Sequence, residues 1–282
     1  MIDAALDKFL PSQEDIPATI HQAMRYSVFA GGKRLRPILV MAAAEAVGGA
    51  SANVLPAACA LEMIHTYSLI HDDLPAMDDD DFRRGKPTNH KVFGEAMAVL
   101  AGDALLTHAF FVLSRLSGSV PADKINLVME EMAKASGTFG MVGGQVADLQ
   151  SEGKEVSREE LHYIHSHKTA ALFIASVRSG GILSNASDRQ LEILTAYARH
   201  LGLAFQIIDD ILDITGDTIT LGKTIGSDMR KKKATFPALY GLEQSRIMAQ
   251  EESERAVEIV EELGSGAQPL QYIVRYLVSR NR

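Results

Sequence analysis

The sequence predicts an all-α protein that forms a single domain over residues 1–282. Apolar residues recur mostly three or four positions apart, alternating β-branched runs are nearly absent, and helix start and stop signals punctuate the chain. Apolar residues make up 46% of the chain and charged residues 23%, so a large core can be buried. No proline- or serine-rich linker divides the chain, which favours one domain over two.

Turn-forming residues order the predicted helices. A Gly-Gly pair at 31–32 closes one helix before Pro37 opens the next, and a second pair at 48–49 precedes a helix that Ser51 can cap. Further helices are predicted from about Asn89 to Leu116, Ala122 to Gln150, Arg158 to Leu183 and Asp188 to Ile214.

Composition excludes several classes of function. The net charge of −8 disfavours binding to nucleic acid, which needs clustered basic residues. The one cysteine, Cys59, cannot form an intramolecular disulfide, and Met1–Leu10 lacks the basic flank and apolar centre of a signal peptide. The most apolar segment, Met97–Ser114, contains Asp103 and His108, which are costly in lipid. We therefore expect a cytoplasmic protein with no membrane span.

An aspartate-rich segment, HDDLPAMDDDD, occupies residues 71–81. Pro75 should end the preceding helix and leave Asp72 and Asp73 in its last turn. The helix dipole is negative at that end, so carboxylates there cost up to about 1 kcal/mol unless a cation compensates. For Asp78 and the acids after it, taken alone, a solvated acidic loop would be the better interpretation.

A second acidic segment, QIIDDILD, occupies residues 206–213. On a helix, Gln206, Asp209, Asp210 and Asp213 fall on one side, which gives a stripe of oxygen ligands on an otherwise apolar helix. Like charges on one face repel, and a cation relieves that repulsion. Aspartates without nearby cysteine or paired histidine favour Mg²⁺ completed by substrate phosphates, and the spacing excludes an EF-hand.

Basic residues lie directly after the first acidic segment and also about 40 residues before it. Arg83 and Arg84 come directly after the first, and Lys33 and Arg36 lie in GGKRLRP at residues 31–37, where glycines allow close backbone approach to a diphosphate. His65 lies two helical turns before Asp72 on nearly the same face. Weaker candidates, each more often a surface or core residue, are Lys168, Thr169, Lys223 and Lys233 together with Gln145 and Asp148, which could satisfy one another.

These residues resemble the trans-isoprenyl diphosphate synthase family, and most closely its bacterial farnesyl diphosphate synthases, also called geranyltranstransferases. Asp72, Asp73 and Asp78 match the first aspartate-rich motif of the family in the form with a two-residue insertion, and DDILD at 209–213 matches the second. GGKRLRP and RRGKPTNH complete a likeness that runs from Gly31 to Lys233. It implies homodimers of a helical bundle around a deep central apolar cavity with metal sites at its mouth.

The resemblance also implies roles for individual residues. Three Mg²⁺ ions, for which Mn²⁺ can substitute, would be held by Asp72, Asp78 and Asp209 with Asp73 and Asp213 in support. The allylic diphosphate would be bound by Arg83, Lys168, Lys223 and Lys233. Isopentenyl diphosphate would be bound by Lys33, Arg36, His65 and Arg84. The developing carbocation would lie near Thr169 and Gln206, with Asp148 in a supporting position and Asp210 in the catalytic set.

Product length is expected to depend on the floor of the cavity. Family resemblance places Tyr67, five residues before the first aspartate, at that floor with Ser68 next to it, and an aromatic residue there implies a C15 product. A C20 product from the same chemistry is the nearest alternative. A terpene cyclase is disfavoured because DDILD does not resemble the second metal motif of those enzymes, and a noncatalytic prenyl-binding subunit should have lost the aspartates that are intact here.

Overall fold

The computed structural model describes residues 1–116, 120–215 and 233–279. The first half of the chain forms helices α1 (Ile2–Phe9), α2 (Ala18–Val28), α3 (Leu35–Ala46), α4 (Leu55–Asp72), α5 (Asn89–Phe93) and α6 (Glu95–Ser114), with a 3₁₀ turn at Ser51–Val54. The second half forms α7 (Ala122–Ser136), α8 (Met141–Ser151), α9 (Arg158–His165), α10 (Ala171–Leu183), α11 (Asp188–Thr215), α12 (Phe236–Tyr240), α13 (Leu242–Glu261) and α14 (Gln268–Ser279), with a 3₁₀ turn at Gly264–Ala267. The predicted all-α class is confirmed.

The predicted helix boundaries hold in part. The segment expected to run from Asn89 to Leu116 breaks at Gly94, whose φ of 85° lies outside the helical region. The segment from Ala122 to Gln150 breaks between Ser136 and Met141, where two glycines leave the helical conformation. Ser51 begins a 3₁₀ turn and makes no side-chain cap.

One small β-hairpin interrupts the helices among the described residues. Strands β1 (Phe82–Arg83) and β2 (Lys86–Pro87) pair antiparallel, with Phe82 opposite Pro87 and Arg83 opposite Lys86. Arg84 and Gly85 form the turn with φ of 55° and 74°, as a two-residue hairpin turn of the primed type requires. The turn points Arg84 back along the chain, and its guanidinium donates to the Gly31 carbonyl.

Helix α4 is the central helix of the bundle. Its residues from Ala57 to Ile64 are all buried, and it packs against α3 and α6. A helix that is apolar all round is stable only when other helices cover it on every side. This packing fixes the carboxyl end of α4, where Asp72 lies.

Helix α11 has the same role on the other side of the bundle. It packs against α10 and α13, and its apolar face includes Leu194, Tyr197 and Leu201, all fully buried. Burial of side chains of this size contributes about 1.5–3 kcal/mol each. The Tyr197 hydroxyl donates to the Leu270 carbonyl at 2.8 Å, which ties α14 to the same core.

One helix of the described residues, α6, is long and apolar enough by composition to cross a membrane, and 39% of its most apolar window is buried. Core helices of globular proteins pass the same test. The charged Asp103 lies on it, and its His108 Nε2 donates to the Phe9 carbonyl at 2.8 Å. The case for a membrane span is therefore weak.

Candidate active site

The two aspartate-rich segments meet at one cavity of about 180 Å³. The cavity is lined from the first segment by Asp72, Asp78 and Asp80 and from the second by Gln206, Asp209 and Asp210. Its other polar lining residues are Arg83, Asp148, His165, Lys168, Lys233 and Thr235. Residues more than 130 positions apart in sequence therefore share one polar site, as the sequence predicts.

The carboxyl end of α4 supplies the first acidic side chains. Asp72 Oδ1 accepts a hydrogen bond from Gln145 Nε2 at 2.6 Å. Asp73 is buried and paired with Arg83, whose Nε and Nη2 lie 2.6 and 2.5 Å from Asp73 Oδ1. Burial raises the pKa of the Asp73 carboxyl to about 6 although Arg83 lowers it. Asp73 thus holds Arg83 at the cavity wall.

Two lysines at the cavity each pair with one acidic residue. Lys233 Nζ lies 2.8 Å from Asp78 Oδ1, and Lys168 Nζ lies 2.5 Å from Asp148 Oδ2. Burial alone would lower the pKa of Lys233, but Asp78, with Asp148 and Asp72 farther off, raises it above its usual value. Lys233 therefore stays charged at the cavity. Gln145 and Asp148 do not satisfy one another, because Gln145 bonds Asp72 and Asp148 bonds Lys168.

A chain of hydrogen bonds fixes the second acidic segment. Thr169 Oγ1 donates to Gln206 Oε1 at 2.7 Å, and Gln206 Nε2 donates to Asp210 Oδ1 at 2.8 Å. The other oxygen of Asp210 accepts from the Phe236 backbone N–H at 2.9 Å. Asp210 and Asp213 are buried, whereas Asp209 is half-buried at the cavity. The predicted stripe therefore divides into two carboxylates at the cavity, the half-buried Asp209 and the buried Asp210, and the buried Asp213, which does not line it.

A π-helical turn at Ser166–Ala170 carries Lys168 and Thr169. The sequence predicts an uninterrupted helix from Arg158 to Leu183, and this turn joins its two halves. A π turn inserts an extra residue and redirects the side chains that follow it. Gly144 makes room for the turn, because a Cβ there would lie 2.1 Å from the Lys168 backbone nitrogen. Close packing of α8 thus helps to set the position of both side chains.

A separate basic cluster lies beside the first segment. Arg36 Nη1 lies 3.3 Å from His65 Nε2, and the Arg36 guanidinium lies 5.0 Å from the centre of the Phe173 ring. Burial lowers the pKa of Arg36 to about 10, and burial together with Arg36 and Arg84 lowers the pKa of His65 well below its usual value. Within the described residues, the buried Nε of Arg36 has no hydrogen-bond partner. The cluster has the character of an anion site.

Of the neighbouring basic residues, two belong to this cluster and a third stabilises the fold. Lys33 lies 5.8 Å from the centre of the Phe205 ring, and Arg84 contacts the Gly31 carbonyl. Arg34 instead bonds Asp3 and Glu62, at 2.8 Å each, and the Val28 carbonyl at 2.7 Å. The Arg34 guanidinium therefore links α1, α2 and α4.

The residues predicted for the cavity floor, Tyr67 and Ser68, lie on α4 five and four residues before Asp72. Tyr67 is buried, and its ring meets His71 edge-on with centroids 5.7 Å apart. Ser68 Oγ donates to the His65 carbonyl at 2.8 Å. Neither lines the polar cavity, so their role in product length stays a prediction.

Some residues predicted for the site lie outside the described part of the chain, and two residues that were not predicted line the cavity. Lys223 and the carboxyl-terminal Arg280-Asn281-Arg282 lie outside the described residues. His165 and Thr235 also line the cavity, although neither is among the residues that the sequence predicts for the site. His165 precedes Lys168 by three residues and shares its helical neighbourhood, which is the one signal that could have marked it.

The carboxylates fit a hard divalent cation that substrate phosphates help to coordinate. No group of three or more acidic, histidine or cysteine side chains among the described residues is arranged to hold a metal ion by itself. Mg²⁺ commonly uses only one or two protein carboxylates, with phosphate oxygens and water as its other ligands. The cavity-facing Asp72, Asp78 and Asp209 suit that mode of binding.

Comparisons with known proteins identify the family to which this chain belongs. A family model described as polyprenyl synthetase matches residues 17–277. The farnesyl diphosphate synthase of Geobacillus stearothermophilus is 53% identical over 243 residues, which is 86% of this chain and 81% of that protein. The geranylgeranyl diphosphate synthase of Cyanophora paradoxa is 48% identical over 282 residues, which is 100% of this chain and 93% of that protein.

The fold agrees as well. A crystal structure of a geranyltransferase from Helicobacter pylori, complexed with magnesium and isoprenyl diphosphate, superimposes with a TM-score of 0.88 at 33% identity and covers 99% of this chain and 93% of that chain. The resemblance drawn from the two aspartate-rich segments is therefore confirmed. The chain belongs to the polyprenyl synthetase family and is a prenyltransferase.

Proposed function

We propose that this protein condenses isopentenyl diphosphate head-to-tail with dimethylallyl and then geranyl diphosphate to give farnesyl diphosphate. The observation that carries the proposal is the single cavity in which Asp72, Asp78 and Asp209 face Lys168 and Lys233. A diphosphate bound there would meet carboxylates able to share divalent cations with it, and ammonium groups able to pair with it directly.

The allylic substrate would ionise in this cavity. Bound Mg²⁺ would stabilise the negative charge that develops on the leaving diphosphate. Arg83, Lys168 and Lys233 would add charge-assisted contacts to the same oxygens, and Lys223 would join them as the family resemblance implies. These contacts strengthen as the C–O bond breaks, so they lower the barrier rather than merely tighten binding.

The carbocation would form next to oxygen dipoles. Thr169 and Gln206 are joined at 2.7 Å and held by Asp210, so their orientation is fixed before substrate binds. Preorganised dipoles stabilise a developing charge without reorganisation. The double bond of isopentenyl diphosphate then attacks the cation, a C–C bond forms, and the released diphosphate accepts the proton that is lost.

Isopentenyl diphosphate would bind in the basic cluster of Lys33, Arg36, His65 and Arg84. The unpartnered Arg36 Nε and the neutral His65 next to it suit an anion that supplies acceptor oxygens. We expect Arg36→Met to raise KM for isopentenyl diphosphate by roughly 10–100-fold, the loss of one charge-assisted hydrogen bond of about 1.5–3 kcal/mol. KM for the allylic substrate should stay within about threefold, because that substrate binds in the cavity between the two acidic segments.

Steady-state kinetics with each substrate varied in turn will measure both constants. Arg246→Met, which removes an exposed arginine on α13, is the matched control and should change neither. An equal rise in both KM values for Arg36→Met would contradict the separate assignment of the two sites.

The proposed metal is Mg²⁺ in three positions, with Mn²⁺ able to replace it. Asp72, Asp78 and Asp209 supply the ligands, and Asp73 and Asp213 support the two acidic segments from buried positions. The Helicobacter pylori neighbour was solved with magnesium and isoprenyl diphosphate bound, which supports this choice.

Product length is the finer part of the proposal. Relatives of comparable identity include a farnesyl and a geranylgeranyl diphosphate synthase, so a C20 product is the second candidate. The buried Tyr67 favours C15 if it forms the cavity floor. We expect Tyr67→Ala to shift the main product by at least one isoprene unit with isopentenyl diphosphate in excess, because the smaller side chain opens space for the growing tail.

Chromatography of the dephosphorylated products will measure the shift. Tyr272→Ala, which removes a tyrosine that is 70% exposed, should leave product length unchanged. An unchanged product from Tyr67→Ala would remove Tyr67 from the floor.

We also propose that the protein acts as a homodimer in the cytoplasm. Helix α6 exposes Leu100 and Phe111, which are 54% and 53% accessible, next to a groove of about 810 Å³. A second copy covering this face would bury that apolar surface. The buried free thiol of Cys59 is compatible with a reducing compartment.

Turnover of dimethylallyl and isopentenyl diphosphates with and without Mg²⁺ tests the proposal. The expected result is farnesyl diphosphate with Mg²⁺ and no product with a chelator. Failure to turn over either allylic primer would favour a noncatalytic prenyl-binding subunit. A hydrocarbon formed from farnesyl diphosphate alone would favour a cyclase.

A further inference from the structure

His165 is the last residue of α9 and stands directly before the π turn that carries Lys168. It is 6% exposed and lines the same cavity as Lys168, Asp209 and Lys233. Neither the family motifs nor the aspartate-rich segments assign it a role.

The His165 ring is held in place by packing. It stacks on Phe236 with centroids 5.2 Å apart and an interplanar angle of 23°. The Phe236 backbone N–H in turn donates to Asp210. The ring orientation is therefore fixed by the same contacts that fix the second acidic segment.

The Nε2 atom of His165 is buried and has no hydrogen-bond partner in the part of the chain that the structure describes. Its nearest carboxylate oxygen, Asp210 Oδ2, is 3.9 Å away, which is beyond hydrogen-bond distance. Buried polar atoms are almost always paired, so an unpaired nitrogen on a residue that lines a ligand cavity is suited to pair with a ligand.

Burial lowers the pKa of His165 to about 3, and the nearby Asp148 does not offset it. The imidazole is thus neutral near pH 7 and carries its hydrogen on one nitrogen. A neutral donor can contact a phosphate oxygen without a charge being buried in the empty pocket.

We propose that His165 is a further diphosphate-binding residue, whose Nε2–H donates a hydrogen bond to an oxygen of the diphosphate held between the two acidic segments. This inference rests on the proposed function, because it needs a diphosphate in that cavity. Packing of the ring on Phe236 would then be the means of aiming the nitrogen.

Three substitutions separate hydrogen bonding from packing. His165→Phe keeps the aromatic stack but has no polar atom. His165→Gln places an amide nitrogen near the position of Nε2, whereas His165→Asn reaches only the position of Nδ1. Binding of inorganic pyrophosphate in MgCl₂, measured by isothermal titration calorimetry, gives a readout that does not depend on turnover.

We expect His165→Phe and His165→Asn to weaken pyrophosphate binding by roughly 10-fold or more, and His165→Gln to stay within about threefold of the unsubstituted protein. Thermal unfolding of each variant reports whether it is folded. If His165→Phe fails to fold, the comparison of Gln with Asn still decides the question.

Two results would overturn the inference. Tight binding by both His165→Phe and His165→Asn would show that the nitrogen is not a ligand, and equal weakening in all three variants would leave His165 with a packing role only. Failure of the unsubstituted protein to bind pyrophosphate with Mg²⁺ would instead count against the proposed function, so the two failures are distinguishable.

Discussion

Asp72→Asn and Asp209→Asn should each reduce kcat by roughly 10²–10³-fold, the scale expected when one group that stabilises the transition-state charge is removed. Asn keeps the size of the side chain but loses the charge that a divalent cation requires. Both residues line the cavity, one from each acidic segment. The loss should appear as a lower kcat at saturating substrate and as a higher Mg²⁺ concentration needed for half-maximal activity.

Asp81→Asn is the matched control for these variants. Asp81 belongs to the same acidic run, but it is 64% exposed and pairs with Lys91 at 2.7 Å. It does not line the cavity. Activity should stay within about twofold of the unsubstituted protein, because exposed pairs contribute little. Equal losses in all three variants would mean that the acidic run acts through its overall charge, and the assigned metal ligands would be wrong.

Asp210→Ala should lower the free energy of unfolding by about 2–4 kcal/mol, because one buried and one half-buried donor lose their acceptor. One is the Gln206 side chain at 2.8 Å and the other is the Phe236 backbone N–H at 2.9 Å. This places Asp210, which the family resemblance includes in the catalytic set, in the role of holding α11, the π turn and α12 together.

Urea denaturation followed by circular dichroism measures the loss. Asp210→Asn should fall between Ala and the unsubstituted protein, since its amide oxygen can still accept one of the two bonds. The exposed Glu258→Ala serves as the control for removal of an acidic side chain from a helix and should change stability by less than about 0.5 kcal/mol. An Asp210→Ala protein as stable as the unsubstituted one would contradict this structural role for Asp210.

The sequence was sufficient for the helical class and for the two acidic segments, because both leave local marks. Pro75 and the following aspartates indicate where α4 ends, and the structure ends it at Asp72. The three- and four-residue spacing of apolar side chains marks the long helix that ends at Thr215.

Other features depend on tertiary packing and leave weaker local marks. The π turn at Ser166–Ala170 arises where α8 approaches closely at Gly144. The ion pair between Asp78 and Lys233 joins residues 155 positions apart. The hairpin that presents Arg83 and Arg84 has only two residues in each strand, too few for an alternating pattern to be seen.

Crystals soaked with Mn²⁺ and pyrophosphate test the central claim most directly, since anomalous scattering locates the metal ions independently of any assay. We predict anomalous peaks that touch Asp72 and Asp78 on one side and Asp209 on the other, with one pyrophosphate bridging them. Peaks confined to one acidic segment, or a pyrophosphate bound away from both, would contradict the account.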